Sequence, residues 1–408
     1  MQSTSASPCN SNFSDLRTLK CSANRISWRI SVLSSTLVDP LCQFPTRNVL
    51  EGCPQGTVVV GKNATHGHFS TIQSAIRSLP NDTTTSNILI LAGSYTEQLN
   101  VTRRAPVRLI GQTSNPQEQS KNLVTVSWAS ANGAGSGFDD NAYTSVLTVA
   151  PNLNASLTGS GPTGFNVPPD TPFGCPDFRV YNLDFRNVHA EQSAGASLAV
   201  SISRANAGFY QCGIYSYQDT VYVGHQGNSY FYGGEIAGQT DFLYGFGTTW
   251  IEKSKLVLRG CSGGIIAWKG SNTTFPNKYG CYVAHSSLKA AKSTVAAKNL
   301  GRCSLGRPWN ALHRSVYMES SMDATILPQG YTKWSSDPAK ANYNDLTVMA
   351  EYSNHGPGWN VTARNAGNVT LVLNKAGSLP YYSPAHVFMT TKGKQPHVAW
   401  IDRRFYPY

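Results

Sequence analysis

Asp219 lies in Tyr217-Gln218-Asp219-Thr220-Val221-Tyr222, and Asp241 in Gly238-Gln239-Thr240-Asp241-Phe242-Leu243-Tyr244-Gly245. Their neighbours are aromatics, amides and glycines, in a chain whose charged residues make up only 13%. That is about half the usual share. Paired carboxylates are a recurrent way to divide nucleophile and acid/base roles, because unequal surroundings push their pKa values apart. The two are 22 residues apart (241 − 219). If residues one such interval apart stack on neighbouring strands, the carboxyls lie about 5 Å from each other. At an effective dielectric of about 20, two full charges then repel by about 3 kcal/mol, or about two pKa units. One carboxyl keeps its proton while the other ionises, which sets a general acid beside a nucleophile. Spacing alone leaves open that both are solvated turn aspartates.

The surrounding repeat supplies the stacking. Phe209-Tyr210-Gln211-Cys212-Gly213-Ile214 resembles Phe231-Tyr232-Gly233-Gly234-Glu235-Ile236. Ile251-Glu252-Lys253-Ser254-Lys255-Leu256 follows at a similar interval, and Tyr279-Gly280-Cys281-Tyr282-Val283 is a later echo. A period of about 21 residues signals stacked repeats, and a right-handed parallel β-helix has coils of that length. Short apolar runs broken by glycine or asparagine support it: Val58–Val60, Ile88–Leu91, Val107–Ile110, Val146–Val149 and Phe178–Phe185. Strands without intervening helices argue against a doubly wound fold. Ile72, Ala75, Ile76 and Leu79 recur at helical spacing before Pro80, with Ser70 or Thr71 as N-cap, so one short N-terminal capping helix is expected. Residues 129–176 read as long loops, and Val398–Asp402 as a terminal strand. Residues 1–45 read as a poorly structured N-terminal segment, and 46–408 as a single β-helix domain.

The net charge of +11 favours an acidic partner, such as nucleic acid, anionic lipid or a polyuronate. The basic residues are scattered and no zinc-finger or RNA-binding signature accompanies them, which disfavours nucleic acid. Nine cysteines contain no CxxC pair and no Cys/His cluster at zinc spacing, so no metal site is expected. Cys212, Cys261 and Cys281 read as small buried hydrophobes. Eight N-x-S/T sequons favour the secretory route, although no signal peptide is visible at the N-terminus. No apolar run is long enough to span a membrane.

Two motifs mimic other chemistry. Gly260-Cys261-Ser262-Gly263-Gly264 fits the serine-hydrolase pattern G-x-S-x-G, but a nucleophile elbow needs a helix after it and another strand is expected there. Gly159-Ser160-Gly161-Pro162-Thr163-Gly164 mimics a dinucleotide loop without its strand and helix.

The assembled motifs resemble those of the pectin methylesterases, of the pectin lyase-like superfamily, with the fungal type most similar. Thr71–Ile76 is similar to that family's opening helix and Gly93-Ser94-Tyr95-Thr96-Glu97 to its G-x-Y-x-E. Gln218–Tyr222 resembles Q-D-T-L-Y, Gly238–Gly245 resembles G-x-x-D-F-I-F-G, and Leu305-Gly306-Arg307-Pro308-Trp309 matches L-G-R-P-W. Glu351–Gly358 is similar to the closing E-Y-x-N-x-G-P-G. The motifs stand in family order over residues 56–360.

The resemblance implies a right-handed parallel β-helix that demethylates homogalacturonan by double displacement, without metal or cofactor, as a secreted monomer acting on cell-wall pectin. It implies Asp241 as nucleophile, Asp219 as general acid and base, and Gln218 as oxyanion donor. Arg307 would orient and ionise Asp241, and Trp309 would stack on a galacturonate ring. Tyr222 and Phe242 are candidates for pocket wall or core, and Tyr95 and Thr96 for cleft lining or a strand end. One departure matters: Ala196 stands where the family usually carries a second glutamine, and Gln192 is out of register. Losing an oxyanion donor typically costs about 10²–10³ in rate. A pectin-binding β-helix with impaired catalysis is therefore the alternative, and a two-carboxylate glycosidase is disfavoured by the flanking motifs.

Overall fold

The computed structural model describes residues 38–62, 68–133, 135–159, 168, 170–270, 278–390 and 395–406. Among these, the strands form three sheets of eleven, eight and seven strands. Each coil passes from the eleven-stranded first sheet to the eight-stranded second, then to the seven-stranded third, and back. Neighbouring coils pair in parallel, as in Phe209↔Phe231↔Ile251↔Val283 of the first sheet. This is the expected parallel β-helix, and the repeat seen in the sequence is its coil.

Inward side chains stack into ladders along the axis. Ile214, Ile236, Leu256 and Leu288 are in register in the second sheet and all are buried. Phe178, Phe209 and Phe231 continue the same core from the first sheet, with ring centroids 6.3 and 4.8 Å apart. Each such side chain contributes about 1.5–3 kcal/mol by leaving water.

The corner between the first two sheets is a two-residue turn repeated coil after coil. Its first residue is left-handed at Asn182, Gln211, Gly233, Lys253, His285, Glu319 and Ser353. The run Phe178–Phe185 is therefore two strands, Phe178–Tyr181 and Asp184–Asn187, bent at Asn182 with φ 54°.

The helix Ile72–Arg77 takes Thr71 as its N-cap. Glu97 of the G-x-Y-x-E segment accepts from Ile72 N–H and Gln73 N–H, both at 3.0 Å, so that motif serves the cap. It is not the chain's one helix: Ser293–Lys298 and Val361–Gly367 are of similar length.

Order begins before residue 46. Val38 is buried, the Gln43 amide donates to Gly111 O and Asn182 Oδ1, and Cys42 is disulfide-bonded to Cys53. Val398–Asp402 is irregular rather than a strand, and it packs its buried Val398, Trp400 and Ile401 outside the first sheet.

Candidate active site

Asp219 and Asp241 occupy the corner between the second and third sheets on adjacent coils. Gln218 bridges Thr240 in parallel, and Asp219 N–H donates to Thr240 O at 3.1 Å. Both aspartates are left-handed, with φ 60° and 43°, a region Asp tolerates better than most residues. The next rung of this corner is Gly263, with φ 64°, since Thr240 pairs with Ser262. Two carboxylates and then a glycine stack along the axis.

Arg307 approaches from the third sheet, where Tyr222, Tyr244, Ala267 and Arg307 form one outward row in register. Its side chain must pass the intervening coil to reach Asp241. Ala267 and Gly263 leave that passage open: a Cβ on Gly263 would sit 2.7 Å from Asp241 Oδ1 and 2.9 Å from Arg307 Nη2. Arg307 Nε donates to Asp241 Oδ1 at 3.0 Å, Nη2 donates to Oδ2 at 2.6 Å, and Gly264 N–H donates to Oδ1 at 2.9 Å. Three donors on one carboxyl suit a carboxylate, which only accepts. The guanidinium lies 4.1 Å from the Trp334 ring centroid, a stacking partner the motifs did not indicate.

Asp219 has the opposite surroundings. Burial first, and the neighbouring Asp241 second, raise its pKa well above the usual carboxylate range, against the opposing pull of Arg307. Asp219 therefore holds a proton where an ordinary aspartate has lost it. Asn141, from the loop region before the third-sheet strand Leu147–Val149, donates from Nδ2 to Asp219 Oδ2 at 3.3 Å.

Gln218 is half-buried and its side chain makes no hydrogen bond among the described residues, which leaves its amide free to donate. Trp309 is half-buried, 5.7 Å from the Tyr244 ring, with Lys269 Nζ 3.5 Å from its ring centroid.

Four candidate contacts do not line the site. Phe242 is fully buried in the interior core, because the left-handed Asp241 turns the next side chain inward. Tyr222 is fully buried behind Tyr244, with ring centroids 4.9 Å apart, so it supports the wall rather than forming it. Tyr95 points inward and donates to Leu91 O. Thr96 is exposed in the outward row Thr96, Ser127, Arg186, Tyr215 of the second sheet. It lies three strands, or about 14 Å, from the strand leading to Asp219.

Ala196 is buried beside Tyr222 and Tyr244 and offers no side-chain donor. Gln192 lines a cavity of about 690 Å³ with Tyr217, Gln239, Arg259, Lys298 and Arg302. Gly260–Ser262 ends a strand, a bend follows at Gly263 and the next strand begins at Ile266, with Cys261 bonded to Cys303. That removes both the elbow and the reading of Cys261 as a buried thiol, whereas Cys212 and Cys281 are free and buried. The dinucleotide mimic lies mostly outside the described residues.

The pectinesterase family model matches residues 173–387. A pectinesterase of Aspergillus aculeatus is 30% identical, over 80% of this chain and 88% of its own length. Among solved structures, a pectin methylesterase of Aspergillus niger has a TM-score of 0.66 at 24% identity, covering 86% of this chain and 98% of that one. The pectin methylesterase of Erwinia chrysanthemi has a TM-score of 0.61 at 23% identity, with 82% and 96% covered. At these identities the two structures speak for the fold, while the family match spans more than half the chain: this protein belongs to the pectinesterase family.

Proposed function

We propose that this protein hydrolyses the C6 methyl esters of homogalacturonan, releasing methanol and de-esterified pectin, with Asp241 as nucleophile and Asp219 as general acid and base. The observation that carries the proposal is the stacked pair of carboxyls held in unlike surroundings, Asp241 in the Arg307 fork and Asp219 without a cationic partner among the described residues, its pKa raised by burial. Asp241 Oδ2, with one donor against two on Oδ1, is the freer oxygen for attack on the ester carbonyl. Gln218 donates to the oxyanion that forms, and Asp219 gives its proton to the departing methoxide. Water then enters, Asp219 takes its proton, and the acyl bond to Asp241 is hydrolysed. Trp309 stacks on a sugar ring. The cationic side chains around the cavity beside Tyr217 and Gln239 suit an acidic polymer.

Action on cell-wall pectin places the protein outside the cell. The described sequon asparagines, Asn81, Asn100, Asn154, Asn360 and Asn368, are all exposed, and two disulfides close loops. Both features suit secretion. The absence of an amide at position 196 favours a second reading, a pectin-binding β-helix with weak catalysis. Methanol release from methylated pectin decides between them. The wild-type protein is expected to release methanol and Asp241→Ala to give only background; equal background from both would leave the binding reading.

A further inference from the structure

A chain of side-chain hydrogen bonds ends on Asp219. The Ser136 hydroxyl accepts from Phe138 N–H at 3.3 Å and donates to Asn132 Oδ1 at 2.9 Å. Asn132 Nδ2 donates to Asn141 Oδ1 at 2.9 Å, and Asn141 Nδ2 donates to Asp219 Oδ2 at 3.3 Å. Every step runs in one direction. Turning the Asn141 amide over would face its NH₂ against that of Asn132 and remove the bond between them.

The relay is also anchored at its backbone. Asn132 exchanges two hydrogen bonds with Ala196, at 2.7 and 3.0 Å. Asn141 opens a short 3-10 turn whose N-cap, Asp140, accepts from Ala142, Thr158 and Gly159 N–H, and Thr144 Oγ1 donates to Asn141 O. The Asn141 side chain is therefore presented to Asp219 by a turn that is itself tied down.

We propose, on the esterase reading above, that Asn141 is a positioning residue for Asp219, fixing which carboxyl oxygen carries the proton and holding the carboxylate once that proton has left. A carboxylic acid has one hydroxyl and one carbonyl-type oxygen, and an N–H donor selects the carbonyl type. With Asn141 on Oδ2, the proton sits on Oδ1, the oxygen open to the leaving group. After transfer the same N–H faces an anion, and the bond strengthens as a charge-assisted one. The 3.3 Å separation leaves room for that tightening, as catalytic hydrogen bonds do before substrate is bound. Asn141 thus serves both halves of the cycle, through Asp219.

The other groups acting on Asp219 are Asp241 and Arg307, and the buried Tyr244 hydroxyl feels the Asp219 charge and the Asn141 amide alike. Replacing Asn141 leaves Asp241 and Arg307 in place and takes the amide away from Tyr244 as well as from Asp219. The test is Asn141→Ala and Asn132→Ala, with methanol release measured across pH and folding checked by thermal unfolding. Loss of Asn141 is expected to lower kcat by about tenfold or more, consistent with loss of part of a general-acid contribution, with KM unchanged. The alkaline limb of the kcat/KM profile moves to higher pH, because the anion has lost a donor. Asn132→Ala gives the same changes, smaller, and decides the matter if Asn141→Ala fails to fold. A folded Asn141→Ala protein with the wild-type kcat and an unmoved limb overturns the proposal. If the wild type itself releases no methanol, the esterase reading fails separately. The Asp219 titration, followed by carbon NMR with Asp219→Asn as assignment control, then still answers for Asn141: an upward move supports the role and an unchanged one refutes it.

Discussion

Two aspartates of one chemistry are made unlike by what stands next to them. Burial and the neighbouring Asp241 raise the Asp219 pKa well above the usual carboxylate range, which favours the protonated acid required for methoxide departure. On the mechanism proposed, kcat/KM falls as pH rises through the elevated Asp219 pKa, and Asp219→Asn loses turnover while keeping pectin binding. Undiminished methanol release from that variant would refute the role. The sign for stability is opposite to that of an ordinary paired carboxylate. The folded state binds this proton more tightly than the unfolded chain, so stability declines as pH climbs from the usual carboxylate range to the raised value. Asp219→Asn is therefore expected to unfold at a higher temperature than wild type at alkaline pH, which calorimetry at two pH values checks. Gly263 bears on the other carboxyl. Gly263→Ala places a methyl within 3 Å of both Asp241 Oδ1 and Arg307 Nη2, in a backbone conformation unfavourable to alanine. Displacing one arm of a charged fork is worth about 1.5–3 kcal/mol, so kcat should drop about ten- to hundredfold. A variant with wild-type kcat would show that the fork is dispensable.

At the scale of elements, the corners do as much as the strands. Behind the left-handed corner residues Lys253, His285, Glu319 and Ser353 sit small polar ones, Ser254, Ser286, Ser320 and Asn354. Ser254 N–H donates to Ser286 Oγ at 3.0 Å, Ser286 N–H to Ser320 Oγ at 3.1 Å, and Ser320 N–H to Asn354 Oδ1 at 2.9 Å. Each hydroxyl supplies the acceptor that the strand ladder cannot reach around the bend. Ser286→Ala, which adds no bulk, leaves the buried Ser254 N–H without a partner and should cost about 1–3 kcal/mol, measurable as a lower urea midpoint at unchanged m-value. This ladder also shows why some of the fold was legible and some was not. The coil period could be read because inward side chains are drawn from a narrow apolar set, so Phe209 and Phe231 look alike. The bend at Asn182 was hidden inside an apolar run, since Leu183 continues the hydrophobic pattern through the corner. Asp219, Asp241 and Arg307 were legible through spacing and motif. Asn141 was not: it acts 78 residues away in sequence, from a loop region with no periodicity to register it. Phe242 stayed open between pocket wall and core, because adjacency to a catalytic residue in sequence says nothing of the side chain's direction once the backbone turns left-handed.

For the molecule as a whole, an open solenoid must close its ends, and this one uses charge inside the C-terminal end. Glu351 and Arg364 are both fully buried and paired at 2.6 Å. Arg364 also donates to Leu327 O and Gly358 O, and Asn354 donates to Glu351. The closing E-Y-x-N-x-G-P-G motif thus ties the strand Val348–Tyr352 to the helix Val361–Gly367. Far along the chain, Arg404 clasps the N-terminal side by donating to Val38 O at 2.7 Å. The ion pair fixes geometry more than it supplies stability: burial raises the Glu351 pKa in spite of Arg364, so holding that carboxylate ionised inside the fold costs free energy. Two variants separate the roles. Glu351→Gln strands a buried guanidinium and should lower stability by about 3–5 kcal/mol. Glu351→Leu combined with Arg364→Met removes both charges, keeps comparable volume, and should unfold within about 1 kcal/mol of wild type or above it. Denaturant unfolding of the single and double variants reads the difference directly. A double variant as unstable as the single would mean that the pair itself, and not merely its completeness, holds the end of the solenoid closed.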